Sequence, residues 1–154
     1  MKGMSLATND LVQLSCQFDA TAEMIFEAWI DPSVIRQWLF VGPSSEIVKV
    51  ETNPREGGVF SILEHNDGEE IDHFGEYVRV DRPTLLVFTL EVPKHFPGVT
   101  EVRVGLTPTA SGCEMQFEQK GVAREVTEES WCVMFRTLRS VIDASTGRDA
   151  EGEA

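Results

Sequence analysis

The residue with the best case for proton chemistry is Glu76, in the segment HFGEYVRV. If Val78 and Val80 point into a sheet, the two-residue period of a strand places Phe74 and Glu76 on the same inner face. A carboxylate on an apolar inner wall has a raised pKa and can act as an acid, a base or a ligand anchor. Gly75 could instead introduce a bulge that turns Glu76 outward. Glu76 is therefore the catalytic candidate, with both orientations open.

The three histidines, His65, His73 and His95, are too widely spaced to form a metal-binding pair on a helix. His65 and His73 flank the turn signal NDG and could face each other across two strands. Metal sites need three or four convergent ligands, and the sequence nominates no third one. We therefore expect no metal and treat these side chains as solvated or locally hydrogen-bonded.

The three cysteines, Cys16, Cys113 and Cys132, are far apart and odd in number. They show no CxxC or zinc-like spacing, and none has a basic or histidine neighbour in sequence that would activate a thiolate. Buried thiols in a reducing compartment are the expectation, which favours the cytoplasm. The N-terminal ten residues show no apolar stretch typical of a signal peptide.

Two adjacent glycines, Gly57 and Gly58, in NPREGGVFSI raise the question of a phosphate-binding loop. Such a loop normally leads from a strand into a helix, whose N-terminus faces the anion. This one leads into an alternating apolar segment and lacks a following Lys-Ser or Lys-Thr pair. We interpret the glycines as a turn or bulge that needs positive φ and bends the sheet. Neither a dinucleotide fingerprint nor a nucleophile elbow appears, so no cofactor is expected.

Composition narrows the possible partners. The chain has 154 residues, a net charge of −13 and 42% hydrophobic residues, which is typical of one small globular domain. A strongly negative field repels nucleic acid and anionic membrane surfaces. No apolar run approaches the length of a membrane span, so no membrane insertion is expected.

Hydrophobic periodicity predicts the order β-α-α-β6-α. LVQLSCQF alternates as a strand, and two short helices follow, with Thr21 and Asp31 as caps. Six alternating segments then form an antiparallel meander, and the helix TEESWCVMFRTLRSVID carries an apolar stripe after a cap at Thr127. Burying both apolar faces requires a curved sheet wrapped around this helix, which gives an α+β class. Residues 1–10 and 145–154 are expected to be a flexible terminus and a disordered tail.

A curved sheet against a helix can leave an apolar cavity of the kind that holds small molecules. The large side chains expected to face inward are either ordinary core or the wall of such a cavity. These candidate ligand-binding residues, together with Glu76, are Trp38, Phe60, Phe74, Phe88, Met115, Phe117, Trp131 and Phe135.

The order and the motifs together resemble the START-like (Bet v 1-like, SRPBCC) superfamily. The closest resemblance is to the family named after the C-terminal domain of the activator of the Hsp90 ATPase. It spans residues 11–143, and its carriers are FDATAEMIFEAWIDPSVIRQW, the Gly-Gly-x-Phe of NPREGGVFSI, HFGEYVRVDRPTLLVFT, Gly121 and Trp131. Leu39-Phe40 and Leu90 depart from the family pattern and change the shape of a cavity. The resemblance implies a single helix-grip domain over residues 11–144.

Three functions follow from this resemblance and remain open. The first is a cytoplasmic binding module that encloses a small hydrophobic or amphipathic molecule, or a lipid, between the sheet and the C-terminal helix. The second is an enzyme of the polyketide cyclase/aromatase type, in which Glu76 transfers protons. The third is a stress-response or protein-interaction module that could form a homodimer. Binding is favoured because no catalytic set is visible, and chaperone stimulation is not predicted.

Overall fold

A computed structural model describes residues 11–42, 44–95, 97–122 and 124–152, with the backbone alone for 146–152. It confirms the predicted α+β helix-grip class and the element order. The predicted flexible terminus, residues 1–10, lies outside the described residues. The elements are β1 (Leu11–Phe18), α1 (Ala22–Ile30), α2 (Pro32–Trp38), β2 (Ser45–Thr52), β3 (Val59–Asn66), β4 (Glu69–Asp81), β5 (Leu85–Leu90), β6 (Thr100–Pro108), β7 (Cys113–Lys120) and α3 (Arg124–Gly152).

The seven strands form one antiparallel sheet in the order β1-β7-β6-β5-β4-β3-β2. Strands β2 to β7 are neighbours in sequence order, and β1 pairs with β7 at the far edge. The predicted NDG hairpin joins β3 to β4: Asp67 and Gly68 have φ of 55° and 81°. Positive φ at both central residues is typical of a hairpin turn whose twist matches the flanking strands.

Side-chain caps define the two short helices, as the sequence predicts. Thr21 accepts a hydrogen bond from the Met24 amide at 3.1 Å and begins α1. Asp31 ends α1 and also begins α2, where its Oδ1 accepts from the Ser33 amide at 2.9 Å. Because one residue serves both ends, the chain turns sharply and both helices pack on the same face of the sheet.

The long helix differs from its prediction at both ends. It begins at Arg124, so Thr127 lies inside it and does not cap it. It continues to Gly152, and 153–154 lie outside the described residues, so the disordered tail over residues 145–154 stays a prediction. Residues after Ile142 have no proline, and adding residues to a formed helix costs far less than nucleating one. Within the described residues, no helix is long and apolar enough to cross a membrane.

The core lies between the inner face of the sheet and the three helices. Val102 and Val104 of β6 and Met115 and Phe117 of β7 are at most 1% exposed, and Leu138 of α3 packs against them in the same cluster. The alternation predicted for β6 and β7 is therefore confirmed. It places one side of each strand in the core.

The double glycine lies in the connection between β2 and β3 and holds it against β4. Gly57 has φ of 88°, and its amide donates to the Tyr77 carbonyl at 2.9 Å. The Tyr77 amide donates in return to the Gly58 carbonyl at 2.8 Å. The interpretation as a turn with positive φ is confirmed, and the segment joins strand to strand.

The two glycines should respond differently to alanine. Gly57→Ala places a side chain in open space at positive φ and should cost about 1–2 kcal/mol of stability. At Gly58 an added Cβ would collide with the backbone oxygen of Asn53, so the turn must rebuild at a cost of about 3 kcal/mol or more. Urea denaturation followed by tryptophan fluorescence measures both. An equal or smaller loss for Gly58→Ala would contradict the close approach.

Candidate functional site

Strand β4 places Glu76 on the outer face of the sheet. Its inner positions include Tyr77, which is 2% exposed, whereas Val78 is 48% exposed. The parity assumed in the sequence interpretation was reversed, because the register shift in β4 falls between Tyr77 and Arg79. Glu76 is exposed, and the half-buried Phe74 shares its outward parity. The expectation that both line an inner wall is therefore wrong.

Most of the other candidates form a packed aromatic core around Trp29 of α1. Ring centroids lie 4.8 to 6.2 Å from that of Trp29 for five residues: Trp38, Phe88, Phe117, Trp131 and Phe135. Met115 is fully buried in the same cluster. These contacts bring α3 directly onto the sheet, so the space there is filled by side chains.

The inner face of the sheet borders one small cavity on the side of α1 and α2. Its volume is about 10 Å³, and it is lined by Trp29, Ile35, Leu39, Phe40, Phe60, Ile62, Tyr77 and Phe88. Phe60 and Phe88 were predicted as ligand-binding residues, and the other six were not. The remaining candidates do not border it. A volume of this size holds about one water molecule, far below the roughly 300–1,000 Å³ of open ligand pockets.

The indole N–H of Trp29 has no acceptor from the protein. Among the described residues it is the one buried side-chain polar atom without a hydrogen-bond partner. The Trp38 indole donates to the Ala28 carbonyl at 2.9 Å, and that of Trp131 to Oε1 of Gln119 at 2.7 Å. A buried donor without an acceptor costs about 1–3 kcal/mol, and native structures rarely contain one. The Trp29 N–H is therefore the buried polar atom that needs explanation, and Trp29 is also one of the residues that line the cavity.

Burial perturbs the titratable groups of the interior. It raises the pKa of Tyr77, so the hydroxyl in the cavity lining stays protonated and able to donate. Burial also raises the pKa of Cys16 and of Cys113. A nucleophilic cysteine needs a lowered pKa, so these two thiols have the properties of core side chains.

Phe40 stands at the rim of the cavity. It is the only half-buried residue among those that line the cavity, and its φ of 63° lies in the left-handed region. Bulky residues rarely adopt that conformation, and it is most common at functional sites. Its ring stacks on that of His73, with centroids 3.9 Å apart and planes at 14°.

His73 belongs to a second group of polar residues beyond Phe40. It is 3% exposed, its Nδ1 lies 3.2 Å from the Ile62 carbonyl, and its Nε2 lies 3.5 Å from Oε1 of the buried Glu64. Burial lowers the pKa of His73 to about 4, so the ring is neutral at pH 7 and this contact is not an ion pair. The exposed His95 completes the group.

The expected facing of His65 and His73 is wrong. His65 pairs with Glu70 across the hairpin and is exposed, whereas His73 pairs with Ile62 and points inward. The third ligand that the sequence did not nominate is Glu64, one residue before His65. Alternation along β3 could have placed Glu64 on the inner face, but its nearness to His95 depends on the β5–β6 connection.

A wider depression of about 370 Å³ lies on the outer face of the sheet, between β6 and the start of β5. Its lining includes the exposed Arg103 and Thr107 and the half-buried Glu118. Among the described residues that line this depression, none with a polar side chain is fully buried. It resembles the ordinary surface of a twisted sheet.

The family model described as Activator of Hsp90 ATPase homolog 1-like protein matches residues 19–143. The chain belongs to this family. The family is part of the START/Bet v 1-like SRPBCC superfamily, whose domains commonly bind ligands. No curated protein matches the chain.

Solved structures similar to this family member show the same fold. Protein CV1439 from Chromobacterium violaceum is 20% identical with a TM-score of 0.77, over 86% of this chain and 96% of that one. The AHSA1-like protein from Aeromonas hydrophila is 17% identical with a TM-score of 0.76, over 88% and 94%. Protein MLL2253 from Mesorhizobium loti is 24% identical with a TM-score of 0.69, over 87% and 97%. At these identities the likeness concerns the fold alone.

The cost of an unpaired indole in this core can be measured at Trp131. Gln119 joins Trp131 to Thr100, whose hydroxyl is 3.0 Å from the Gln119 amide and donates to the Leu90 carbonyl. Gln119→Leu leaves the Trp131 N–H without an acceptor and should lower the free energy of unfolding by about 1–3 kcal/mol. Gln116→Leu, on the exposed side of the same strand, should change it by less than about 0.5 kcal/mol. Chemical denaturation of both variants decides this, and equal effects would contradict the network's role.

Proposed function

We propose that this AHSA1 family member binds a small hydrophobic or amphipathic molecule in the cavity beside Trp29. The observation that carries the proposal is the buried Trp29 N–H, which faces no protein acceptor. A ligand oxygen would satisfy this donor, and the aromatic walls would bury the apolar remainder of the molecule. The superfamily's common use as a ligand-binding domain supports this reading.

A single buried water is a poorer partner for Trp29. Buried waters typically make two to four hydrogen bonds to polar groups. Besides Trp29, the lining offers the hydroxyl of Tyr77 and otherwise apolar side chains. A carbonyl or hydroxyl oxygen on an apolar ligand needs only one donor. The ligand we propose therefore has a largely apolar body and a neutral oxygen, since no charged side chain lines the cavity.

The cavity must open before it can admit such a molecule. At about 10 Å³ it has no room for a drug-sized molecule beside its lining side chains. Phe40 is the one lining residue that also reaches the surface, and its left-handed backbone is strained. Rotation of the Phe40 ring away from the cavity would join the cavity to solvent, at the cost of the contacts of that ring with His73 and Trp131. We therefore assign Phe40 the role of the gate.

The other functions considered from the sequence have weaker support. The cyclase-type reaction relied on Glu76, which is exposed, and no carboxylate lines the cavity in the described part of the chain. We infer a cytoplasmic location from the cysteine pattern alone. A homodimer stays a prediction that light scattering over a range of concentrations can test.

Binding can be tested with Nile red, a neutral apolar dye that carries a carbonyl oxygen. We expect one dye per chain with blue-shifted emission, and native mass spectrometry to detect any co-purified molecule. Trp29→Phe removes the donor and should weaken binding about 3–10-fold, the effect of one hydrogen bond. Trp131→Phe is the matched control, because the N–H of Trp131 donates to Gln119. The affinity of this variant for Nile red should equal that of the parent protein. No dye binding by the parent protein, or equal weakening in both variants, would rule out this site.

The role of Phe40 as a gate predicts that removal of its ring changes the rate at which a ligand enters the cavity. Phe40→Gly removes the ring and relaxes the backbone, since glycine tolerates positive φ. Stopped-flow mixing should show Nile red associating several-fold faster than with the parent protein. Phe74→Ala, at a half-buried aromatic of outward parity, should leave the rate unchanged. A Phe40→Gly rate equal to that of the parent would show that entry occurs elsewhere.

A further inference from the structure

Glu64, His73 and His95 lie close together, and each offers one atom that can bind a metal. The three ligand atoms all lie within 4.8 Å of one another. Two of them are buried, on adjacent strands β3 and β4, and the third is exposed in the β5–β6 connection. We propose that these three residues bind a divalent transition-metal ion of the zinc type.

The tautomer of His73 leaves its Nε2 free for a metal. The Ile62 carbonyl can only accept a hydrogen bond, so Nδ1 of His73, 3.2 Å away, carries the proton. In the neutral ring Nε2 then holds a lone pair. Histidine ligands typically donate their other N–H to a carbonyl or carboxylate, which orients the ring. The hydrogen bond to the Ile62 carbonyl therefore orients the His73 ring and leaves Nε2 available as a metal ligand.

The lone pair of His73 faces a carboxylate oxygen. In that tautomer Nε2 has no proton to donate, and it lies 3.5 Å from Oε1 of Glu64. Two facing acceptors repel unless a cation lies between them. Glu64 is 6% exposed, and the side-chain amide of Asn66 lies a long 3.5 Å from its Oε2. A buried carboxylate needs a compensating charge or hydrogen bonds, and a cation shared with His73 would supply that charge.

The spacing suits a small tetrahedral ion. Donor atoms bound to zinc at about 2.0–2.1 Å lie about 3.4 Å from one another. The separation between Nε2 of His73 and Oε1 of Glu64, 3.5 Å, is already close to this value. The third atom is within 4.8 Å and needs to approach by about an ångström, which the exposed side chain of His95 permits.

The donor types favour zinc over the common hard cations. Two imidazole nitrogens and one carboxylate oxygen suit Zn²⁺ and its first-row neighbours, whereas Mg²⁺ and Ca²⁺ prefer sets made of oxygen. Three protein ligands leave a fourth tetrahedral position, as in catalytic zinc sites. Because His95 is exposed, that position is reachable from solvent. None of the three proposed ligands lines the cavity beside Trp29, so a zinc titration tests this site separately from dye binding.

The test uses untagged protein freed of metal by chelation and titrated with Zn²⁺ in a calorimeter. We expect one ion per chain. His95→Ala removes an exposed ligand without disturbing the core and should weaken binding by more than the roughly 10–100-fold that loss of an outer-shell partner costs. His65→Ala is the matched control, because His65 is an exposed histidine of β3 that is not one of the proposed ligands. This variant should bind Zn²⁺ with the affinity of the parent protein. Glu64→Gln, which conserves shape, should weaken binding as His95→Ala does.

Long-range proton–nitrogen spectra of the histidine side chains assign the ligands without any substitution. Zn²⁺ should shift the ring nitrogens of His73 and His95 and leave those of His65 unchanged. Absence of stoichiometric binding by the parent protein would overturn the proposal. So would a loss of affinity in His65→Ala equal to that in His95→Ala, or a zinc shift at His65 in place of His73.

Discussion

The contacts around Trp29 are the constraint on which the arrangement of helices and sheet depends. Rings from α2, β5, β7 and α3 all lie within 6.2 Å of this side chain, centroid to centroid. Each buried aromatic ring removes about 150–250 Å² from water, which at about 25 cal/mol per Å² is worth roughly 4–6 kcal/mol as an upper estimate. Trp29 lies on the short helix α1, so the position of that helix determines how closely α3 approaches the sheet.

The aromatic contacts also explain where the interior is not filled. Trp131 and Phe135 of α3 pack directly against Phe117 of β7, with centroids 4.4 and 5.2 Å apart. The hydrogen bond from Trp131 to Gln119 fixes the same contact. A cavity therefore cannot lie between the sheet and the long helix, where the sequence interpretation placed it. It lies instead on the other side of Trp29, against α1 and α2.

Local signals in the sequence were sufficient for most of the fold. Caps at Thr21 and Asp31, the NDG hairpin turn and alternation in β6 and β7 depend on neighbouring residues, and each was predicted. Glu76 was misplaced because its orientation depends on the register shift between Tyr77 and Arg79, which reverses the parity along β4. A shift of one residue moves every side chain to the opposite face, so period alone cannot locate a bulge.

The candidate sites were harder to predict because they join distant parts of the chain. The group containing Glu64, His73 and His95 forms only when β3 and β4 pair in register and the β5–β6 connection folds back toward them. The Trp29 N–H can be recognised as unpaired only when the positions of all its neighbours are known.

Phe40 is the point at which the two candidate sites meet. Its ring lines the cavity and also covers His73, while its amide donates to Sδ of Met134 at 3.2 Å. A left-handed conformation costs a bulky residue about 1–2 kcal/mol, which these contacts offset. A relaxed backbone at Phe40 would withdraw the ring from one site or the other. A single side chain therefore borders the cavity and covers the imidazole of His73.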